Sequence, residues 1–286
     1  MRQCFGLNQH ALQVSDFAGG IVDLPGIHRH IPAVDFDISH LLDQWDYQPG
    51  QVVVRRFKAK DGRAKIQLRV DLGLLQMCVQ GRPDGKRPFG HPSLLEYYRA
   101  RLHKYVGAHA GNDEGFKLKP EDCARLQLEA LQYYHRYICL LQLEDYAGVI
   151  RDAERNMAVF DFVSRHAANE DLAWSLQQFR PQLLMVLTRA RAAQALQVND
   201  HVLAIQQIEE GLEAIRAFCH EHARGDAADT GGEVQSLENW LEEIRAKRPL
   251  SRREKLERAL HEAINSEDYE RAAQVRDQLR NLKPAE

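Results

Sequence analysis

Basic side chains are concentrated between residues 55 and 104, where thirteen lysines and arginines stand against four acidic residues, although the net charge of the whole chain is only −3. Eight of these cations lie on predicted strands or in the loop that follows them, and such a cluster can hold phosphate groups. Phe57 or Phe89 could stack a nucleobase beside them. The candidate phosphate- or nucleic-acid-binding residues are Arg55, Arg56, Lys58, Lys65, Arg69, Arg82, Lys86 and Arg87.

The same charges also have two simpler explanations. They can be solvated charges on the outer face of a sheet, or they can dock on an acidic part of the same chain. Residues 105–244 offer such a part, because they carry twelve basic and twenty-three acidic side chains. These alternatives stay open at this point, since the sequence does not show which way the cations face.

No motif for catalysis or metal binding stands out. Residues 81–86 resemble a nucleotide-binding loop, but only three residues separate Gly81 from Gly85, and Arg87 stands where a magnesium-binding Ser or Thr is needed. His28 and His30 form one histidine cluster, and residues 219–222 form a second whose spacing spreads its side chains around a helix. We therefore predict no catalytic residue, no metal site and no cofactor.

The elements that carry the basic residues begin at residue 51, where the side-chain pattern takes on the two-residue period of a β-strand. Residues 60–63 contain an Asp-Gly turn of the kind that favours a hairpin. A third strand is expected over residues 74–80, and Ser93 with Glu96 has the spacing of a helix capping box. The apolar positions that we expect to face inward on the return strand are Ala64, Ile66, Leu68, Val70 and Leu72.

From residue 120 to about residue 222 the pattern predicts only helices. We expect them over residues 127–143, 146–166, 171–197 and 202–221, with a kink or break in the third at Pro181. Two turns, at residues 144–146 and 199–201, resemble the hairpin turn of tetratricopeptide repeats. They lie 55 residues apart, so stacked antiparallel helix pairs are favoured over a regular repeat array.

The last stretch of the chain reads as two short helices folded back on each other. Leu256, Leu260 and Ile264 recur at helical spacing, and Ser266 is a predicted N-cap for the second helix. Helices of this length are marginally stable alone, so the stretch is expected to need a partner. Residues 267–279, preceded by residues 256–260, resemble the UVR motif of the excision-repair proteins UvrB and UvrC.

The resemblance implies a helical hairpin that docks on another hairpin of the same type, in a second copy or in a partner protein. It covers about an eighth of the chain. Because the motif is an interaction device, it implies no reaction of its own. The candidate partner-binding residues are Leu256, Leu260, Ile264, Tyr269, Ala272, Ala273, Arg276 and Leu279.

Together these patterns predict a mainly α protein with a small α+β N-terminal module. The expected organisation is an irregular leader over residues 1–45, a basic α+β module over 46–106, a helical domain over 120–222, a connecting helix over 233–248 and the hairpin over 249–286. No run of eighteen apolar residues exists, so we expect no membrane span.

Five scattered cysteines and the lack of an apolar leader indicate a cytoplasmic, and we expect bacterial, protein with reduced thiols. The predicted function is that of a non-catalytic adaptor or scaffold that docks through the hairpin. The alternative is a nucleic-acid-associated factor linked to DNA repair, which would use the basic residues 55–104.

Overall fold

The computed structural model describes residues 38–222, 231–250 and 252–282. Residues 1–37 of the predicted leader, with His28 and His30, lie outside this part, and so do residues 223–230, between the predicted helical domain and the connecting helix. The described chain opens with a short helix, α1 (Ser39–Leu42), then forms a small sheet and continues as helices. The predicted class, mainly α with a small N-terminal α+β module, is confirmed.

The sheet has three antiparallel strands in the order β1 (Val53–Lys58), β2 (Ala64–Val70) and β3 (Gly73–Cys78). Gly62 adopts a φ of 80° in the predicted turn between the first two strands. Ile66, on the central strand, is fully buried and pairs with Arg56 on one side and Met77 on the other. Ile66 and Leu68 pack in the protein core, as predicted. The prediction is wrong for Ala64, which is exposed at the start of β2, and for Leu72, which is 93% exposed because the chain turns there between β2 and β3.

A single 3₁₀ turn (Pro88–Gly90) leads from the sheet to helix α2 (Leu94–Ala108). The predicted cap is confirmed, because the Ser93 hydroxyl accepts a hydrogen bond from the Glu96 amide at 3.2 Å. The helix packs mainly on α3 (Pro120–Gln142), and the Tyr98 hydroxyl donates to the Asp122 carboxylate there at 2.7 Å.

Five further helices follow α3, and each packs on a neighbour along the chain. The predicted break in the third helix is present, and it falls at residues 178–179, so that Pro181 sits in the first turn of the following helix, where proline is tolerated. These helices are α4 (Tyr146–His166), α5 (Glu170–Gln177), α6 (Arg180–Gln197), α7 (His201–Glu221) and α8 (Gly231–Lys247).

The buried apolar residues form two clusters that meet in α6. The first runs from Ile66 in the sheet through α2, α3, α4 and α5 to Ala190 in α6. The second begins at Ala192 and includes α7 and α8. One core thus continues from the sheet into the helices, and the separate domains proposed from sequence remain a prediction.

The chain ends in the predicted helical hairpin, α9 (Arg252–Asn265) and α10 (Tyr269–Asn281). The two helices pack on each other and have at most slight contact with any other element. The predicted N-cap is wrong by two residues. Asp268, and not Ser266, caps α10 by accepting the Arg271 amide at 3.0 Å, while the Ser266 hydroxyl donates back to the Glu262 carbonyl at 2.9 Å.

One turn geometry occurs three times, between α3 and α4, between α6 and α7, and between α9 and α10. In each turn a residue in the left-handed region precedes an aspartate that caps the next helix, and the aspartate amide donates to the carbonyl five residues earlier at 2.9–3.0 Å. The two turns that resemble tetratricopeptide turns therefore match the terminal hairpin. The left-handed residues are Glu144, Asn199 and Glu267, and the capping residues are Asp145, Asp200 and Asp268.

Candidate interaction surfaces

The outer face of the sheet carries a ladder of polar side chains. Arg55 donates to Gln67 at 2.6 Å, and Gln67 donates to Gln76 at 2.8 Å, so the three side chains cross all three strands. Trp45, from the segment before the sheet, lies over the Arg55 guanidinium at 4.3 Å. An aromatic ring of the same chain therefore already covers this predicted phosphate-binding residue.

Arg69 is likewise engaged at the end of the hairpin formed by β2 and β3. Its guanidinium donates to the carbonyls of Asp71 at 3.0 Å and Gly73 at 3.2 Å, and the Tyr47 ring lies 4.8 Å away. Tyr47 in turn donates to the Asp71 carboxylate, a contact that raises the pKa of its hydroxyl. The Arg69 side chain thus stabilises the turn between β2 and β3.

Two other predicted cations dock on the helices. Arg56 pairs with Asp145, in the turn before α4, at 3.1 Å. Arg82 donates to the buried carboxylate of Glu129 on α3 at 2.7 Å and also pairs with Asp84. These contacts match the alternative in which the basic residues meet acidic groups of the same chain.

The remaining predicted cations are more accessible. Lys58, Lys65 and Lys86 form no ion pair within the described residues. Lys58 and Lys86 are exposed and Lys65 is half-buried, while the Arg87 guanidinium donates to the Gly90 carbonyl at 3.3 Å. Of the eight residues, the three lysines and the exposed Arg87 are therefore the ones whose charge can reach an external phosphate.

The loop after the sheet presents an aromatic side chain to solvent. Phe89 is 61% exposed and adopts a φ of 49°, a conformation that is uncommon for a bulky residue. Its ring stacks on Tyr97 of α2 at 4.4 Å. Phe57, the other predicted stacking residue, is half-buried on β1. Phe89 is thus the candidate that can meet a planar ligand.

A buried ion pair, which the sequence did not lead us to predict, joins the sheet to the helices. The Arg136 side chain is 1% exposed and contacts both carboxylate oxygens of Asp152, at 2.6 and 2.8 Å. Its remaining nitrogen donates to the carbonyls of Cys78 at 2.9 Å and Gly81 at 2.7 Å. One guanidinium therefore ties α3, α4 and the end of the sheet together.

A second buried carboxylate completes this cluster. Glu129 accepts the Leu94 amide at 2.8 Å and also pairs with Arg155. Arg155 and Arg136 lie over the Tyr133 ring at 4.1 and 4.9 Å. Burial lowers the pKa of Arg155, and the Glu129 charge opposes that change. These buried charged residues connect the sheet to α3 and α4, and we call them the joint. They leave little of their charge for a ligand.

A signal for this joint is present in the sequence. Glu129 and Arg136 are spaced seven residues apart on the same stripe of α3 as the buried Leu126, Tyr133 and Leu140. Acidic side chains on helices are most often solvated, but Glu129 and Asp152 of α4 are each only 1% exposed. A charged pair at core positions of one helix, facing an opposite charge on the next helix, marks such a joint.

Two thiols of the helices and one histidine of the second cluster are engaged in packing. Burial raises the pKa of Cys123 to about 11 and that of Cys139 to about 12, so both thiols stay protonated at neutral pH. His222, from the second predicted histidine cluster, stacks on Phe218 at 4.3 Å. Within the described residues no three histidine, cysteine or acidic side chains converge as metal ligands. None of the described helices has the length and apolar character that crossing a bilayer requires.

The terminal hairpin buries part of its predicted partner-binding set within itself. Ala272 and Val275 of α10 and Ala263 of α9 are buried where the two helices pack on each other, so Ala272 serves the contact within one hairpin. Four others, Leu256, Leu260, Ala273 and Leu279, are half-buried.

Three predicted residues of the hairpin face solvent. Ile264 is 50% exposed and Tyr269 is 70% exposed, on either side of the turn between the helices. Arg276 is exposed and pairs only with the neighbouring Asp277, at 3.8 Å. Large apolar side chains are thus left uncovered at the turn, where a partner can bury them.

Comparison with known proteins supports the hairpin assignment. The family model described as the UvrB/uvrC motif, or UVR, matches residues 251–283, which covers both helices of the hairpin. No curated protein and no solved structure matches the chain. The chain therefore contains a UVR motif at residues 251–283, and this match does not extend to the preceding elements.

Proposed function

We propose that this chain is a non-catalytic adaptor that docks through its terminal hairpin on a second hairpin of the UVR type. The observation that carries the proposal is the position of α9 and α10, which pack on each other but barely touch the other elements. Ile264 and Tyr269 remain exposed there. A separate hairpin with uncovered apolar residues suits docking on another helical pair.

Removal of residues 249–286 tests the proposal. The truncated chain is expected to lose self-association or partner capture. Its thermal unfolding temperature should stay the same, because the hairpin contributes almost nothing to the two hydrophobic clusters. Leu260→Asp should give the same loss, since it places a charge in a half-buried apolar stripe. Light scattering and hairpin-dependent pull-down measure both effects.

A matched control separates docking from general apolar loss. Val198→Asp makes the same kind of change, apolar to Asp, outside the hairpin, at a position that is 74% exposed in the turn between α6 and α7. It should leave association unchanged. An intact oligomer and an intact pull-down profile after the deletion would contradict the proposal.

A second candidate function is association with nucleic acid, with DNA repair as the setting that the motif suggests. Lys58, Lys65 and Lys86, which lack ion pairs within the described residues, and the exposed ring of Phe89 support it. Exposed cations can contact phosphates, and an exposed aromatic ring can stack a base.

A gel-shift titration with single-stranded DNA at two salt concentrations tests this candidate. Reversal of the three lysines to Glu should weaken binding at low salt about tenfold or more and reduce its salt dependence, because fewer counterions are then released. Reversal of Arg191, Arg216 and Lys247, which are exposed elsewhere, is the charge-matched control. No binding of the natural chain at low salt would end this candidate.

A further inference from the structure

The two edges of the three-stranded sheet differ in how far they are covered. At the β3 edge, the Cys78 amide donates to the Pro83 carbonyl at 2.8 Å, and the Cys78 carbonyl accepts a hydrogen bond from Arg136 at 2.9 Å. At the β1 edge, no strand of the described residues pairs with the side that faces away from β2. Apart from β2, β1 has at most slight contact with any other element. The edge of β1 can therefore accept a further strand.

The register of the sheet shows which backbone groups of β1 lie on this edge. The Ala59 amide donates to the Arg63 carbonyl at 2.9 Å, directly after β1. In an antiparallel pair such bonded positions recur at every second residue, so the odd-numbered residues of β1 bond to β2. The even-numbered ones point their amides and carbonyls away from β2, and these groups form no hydrogen bond within the described residues. They belong to Val54, Arg56 and Lys58.

Positive charge is the feature that limits which strand can bind there. The pairing of β1 with β2 runs without a bulge from Val53 to Lys58, and β1 contains no proline, so its shape does not block the edge. Lys58, Lys60 and Lys65 form no ion pair within the described residues, and the first two are exposed. Pairing of two copies of β1 would bring these cations together, which is unfavourable. A strand with acidic residues is favoured instead.

The side chains along this edge differ between the two faces of the sheet. Arg56 pairs across the strands with the fully buried Ile66, so Arg56 and Lys58 lie on the face of the sheet that carries the core. Phe57 lies on the opposite face, where it is half-buried. A strand added to β1 therefore meets cations on one face and an aromatic ring on the other. Alternation of acidic and apolar residues suits both faces.

From this geometry we infer that β1 is a docking edge for an extended segment of a partner protein in which acidic and apolar residues alternate. The segment pairs with β1 as a fourth strand. Its main-chain hydrogen bonds supply affinity, and the cations of the edge select its acidic side chains. The edge is separate from the terminal hairpin, because β1 has at most slight contact with α9 and α10. The chain thereby has a second interaction surface, which does not depend on hairpin docking.

Fluorescence anisotropy with a synthetic peptide and the full chain tests this docking. The probe is a labelled peptide in which glutamate and valine alternate. It should bind saturably, and added salt should weaken the binding, since exposed charges are screened over roughly 10 Å at 0.1 M ionic strength. A peptide of the same composition, with its glutamates and valines in separate blocks, is the control for charge and should bind about tenfold more weakly. Equal binding of the two peptides would overturn the inference.

Methylation of alternate peptide amides isolates the main-chain contribution. In an added strand every second amide points at β1, and the others point to solvent. Methylation of one set should therefore abolish binding, while methylation of the other set should change the affinity by no more than about threefold. Equal effects of the two sets would show that side chains alone hold the peptide, and the added strand would be wrong.

A proline on the edge gives the matching test in the full chain. Arg56→Pro removes an amide that points away from β2, so the hydrogen bonds between β1 and β2 stay in place. Arg56→Ala, the matched control, loses the same side chain and its ion pair with Asp145 but keeps the amide. The proline variant should bind the peptide about tenfold more weakly than the alanine variant. Equal affinities would contradict the inference. If the proline variant does not fold, the methylated peptides decide.

The outcomes also separate the β1 edge from the two proposed functions. If the chain binds single-stranded DNA but not the alternating peptide, the lysines of the edge serve nucleic acid and the docking edge is wrong. If the chain binds the peptide and neither the hairpin nor the DNA experiment gives its expected result, the docking edge stands while both proposed functions fail.

Discussion

The joint between α3 and α4 and the terminal hairpin use the same residue types in opposite ways. In the joint, Arg136 and Asp152 are each 1% exposed and complete each other's hydrogen bonds. In the hairpin, Arg276 and Asp277 are more than 60% exposed and 3.8 Å apart. Arginine and carboxylate thus fix the interior in one region and stay available at the surface in the other.

The difference follows from the cost of taking charge out of water. A buried ion pair is retained when its geometry and its further hydrogen bonds compensate for desolvation, and removal of one partner leaves an uncompensated charge. An exposed pair contributes little to the stability of its own fold. The joint is therefore sensitive to substitution, whereas the hairpin charges can be changed with little effect on folding.

Among these tests, Arg136→Leu is expected to have the largest effect on stability. The substitution leaves the Asp152 carboxylate and the carbonyls of Cys78 and Gly81 without their main donor. We expect the free energy of unfolding to fall by about 3–5 kcal/mol. Chemical denaturation followed by circular dichroism measures the change.

The matched control is Arg276→Leu, which removes the same side chain from the hairpin. Because that pair is exposed, a change within about 0.5 kcal/mol is expected. Equal losses in the two variants would show that the contrast between buried and exposed charge does not govern stability in this chain.

Removal of a helix cap in each region tests the same comparison, with a smaller expected loss of stability. Asp145→Ala and Asp268→Ala remove the same cap from the same type of turn, at a cost of about 1 kcal/mol each. Asp145 lies next to the joint and also pairs with Arg56, so its loss should lower the stability of the whole core. Loss of the Asp268 cap should affect the hairpin alone.

Hydrogen exchange resolved by residue distinguishes these outcomes. After Asp268→Ala, faster exchange is expected only in residues 252–282, whereas Asp145→Ala should accelerate exchange in α3 and α4. Faster exchange throughout the chain after Asp268→Ala would mean that the hairpin is coupled to the core.

The sequence supported the parts of the fold that follow a local rule. Alternation placed Ile66 on the core, the spacing of Ser93 and Glu96 predicted the start of α2, and Pro181 marked the break before α6. Each of these depends on neighbours within a few residues, and the terminal motif was recognisable for the same reason.

The sequence did not indicate where the charges would find partners. Arg82 and Arg136 meet groups that are 47 and 16 residues away in the chain, and no local pattern fixes such pairs. The basic cluster at residues 55–104 was therefore visible, but its division into docked and accessible side chains was not. The same holds at the start of the hairpin, where Glu254 pairs with Arg248 and Arg258 pairs with Glu262.

The contacts of Arg136 have a consequence for how the chain folds. Its guanidinium joins residues that are 55 to 58 positions apart, and it can leave water without penalty only when Asp152 and both carbonyls are in place together. A partly assembled state with α3 and α4 paired but the sheet absent would hold an unsatisfied charge. The sheet and the first helices should therefore fold in a single cooperative step, in which neither accumulates before the other.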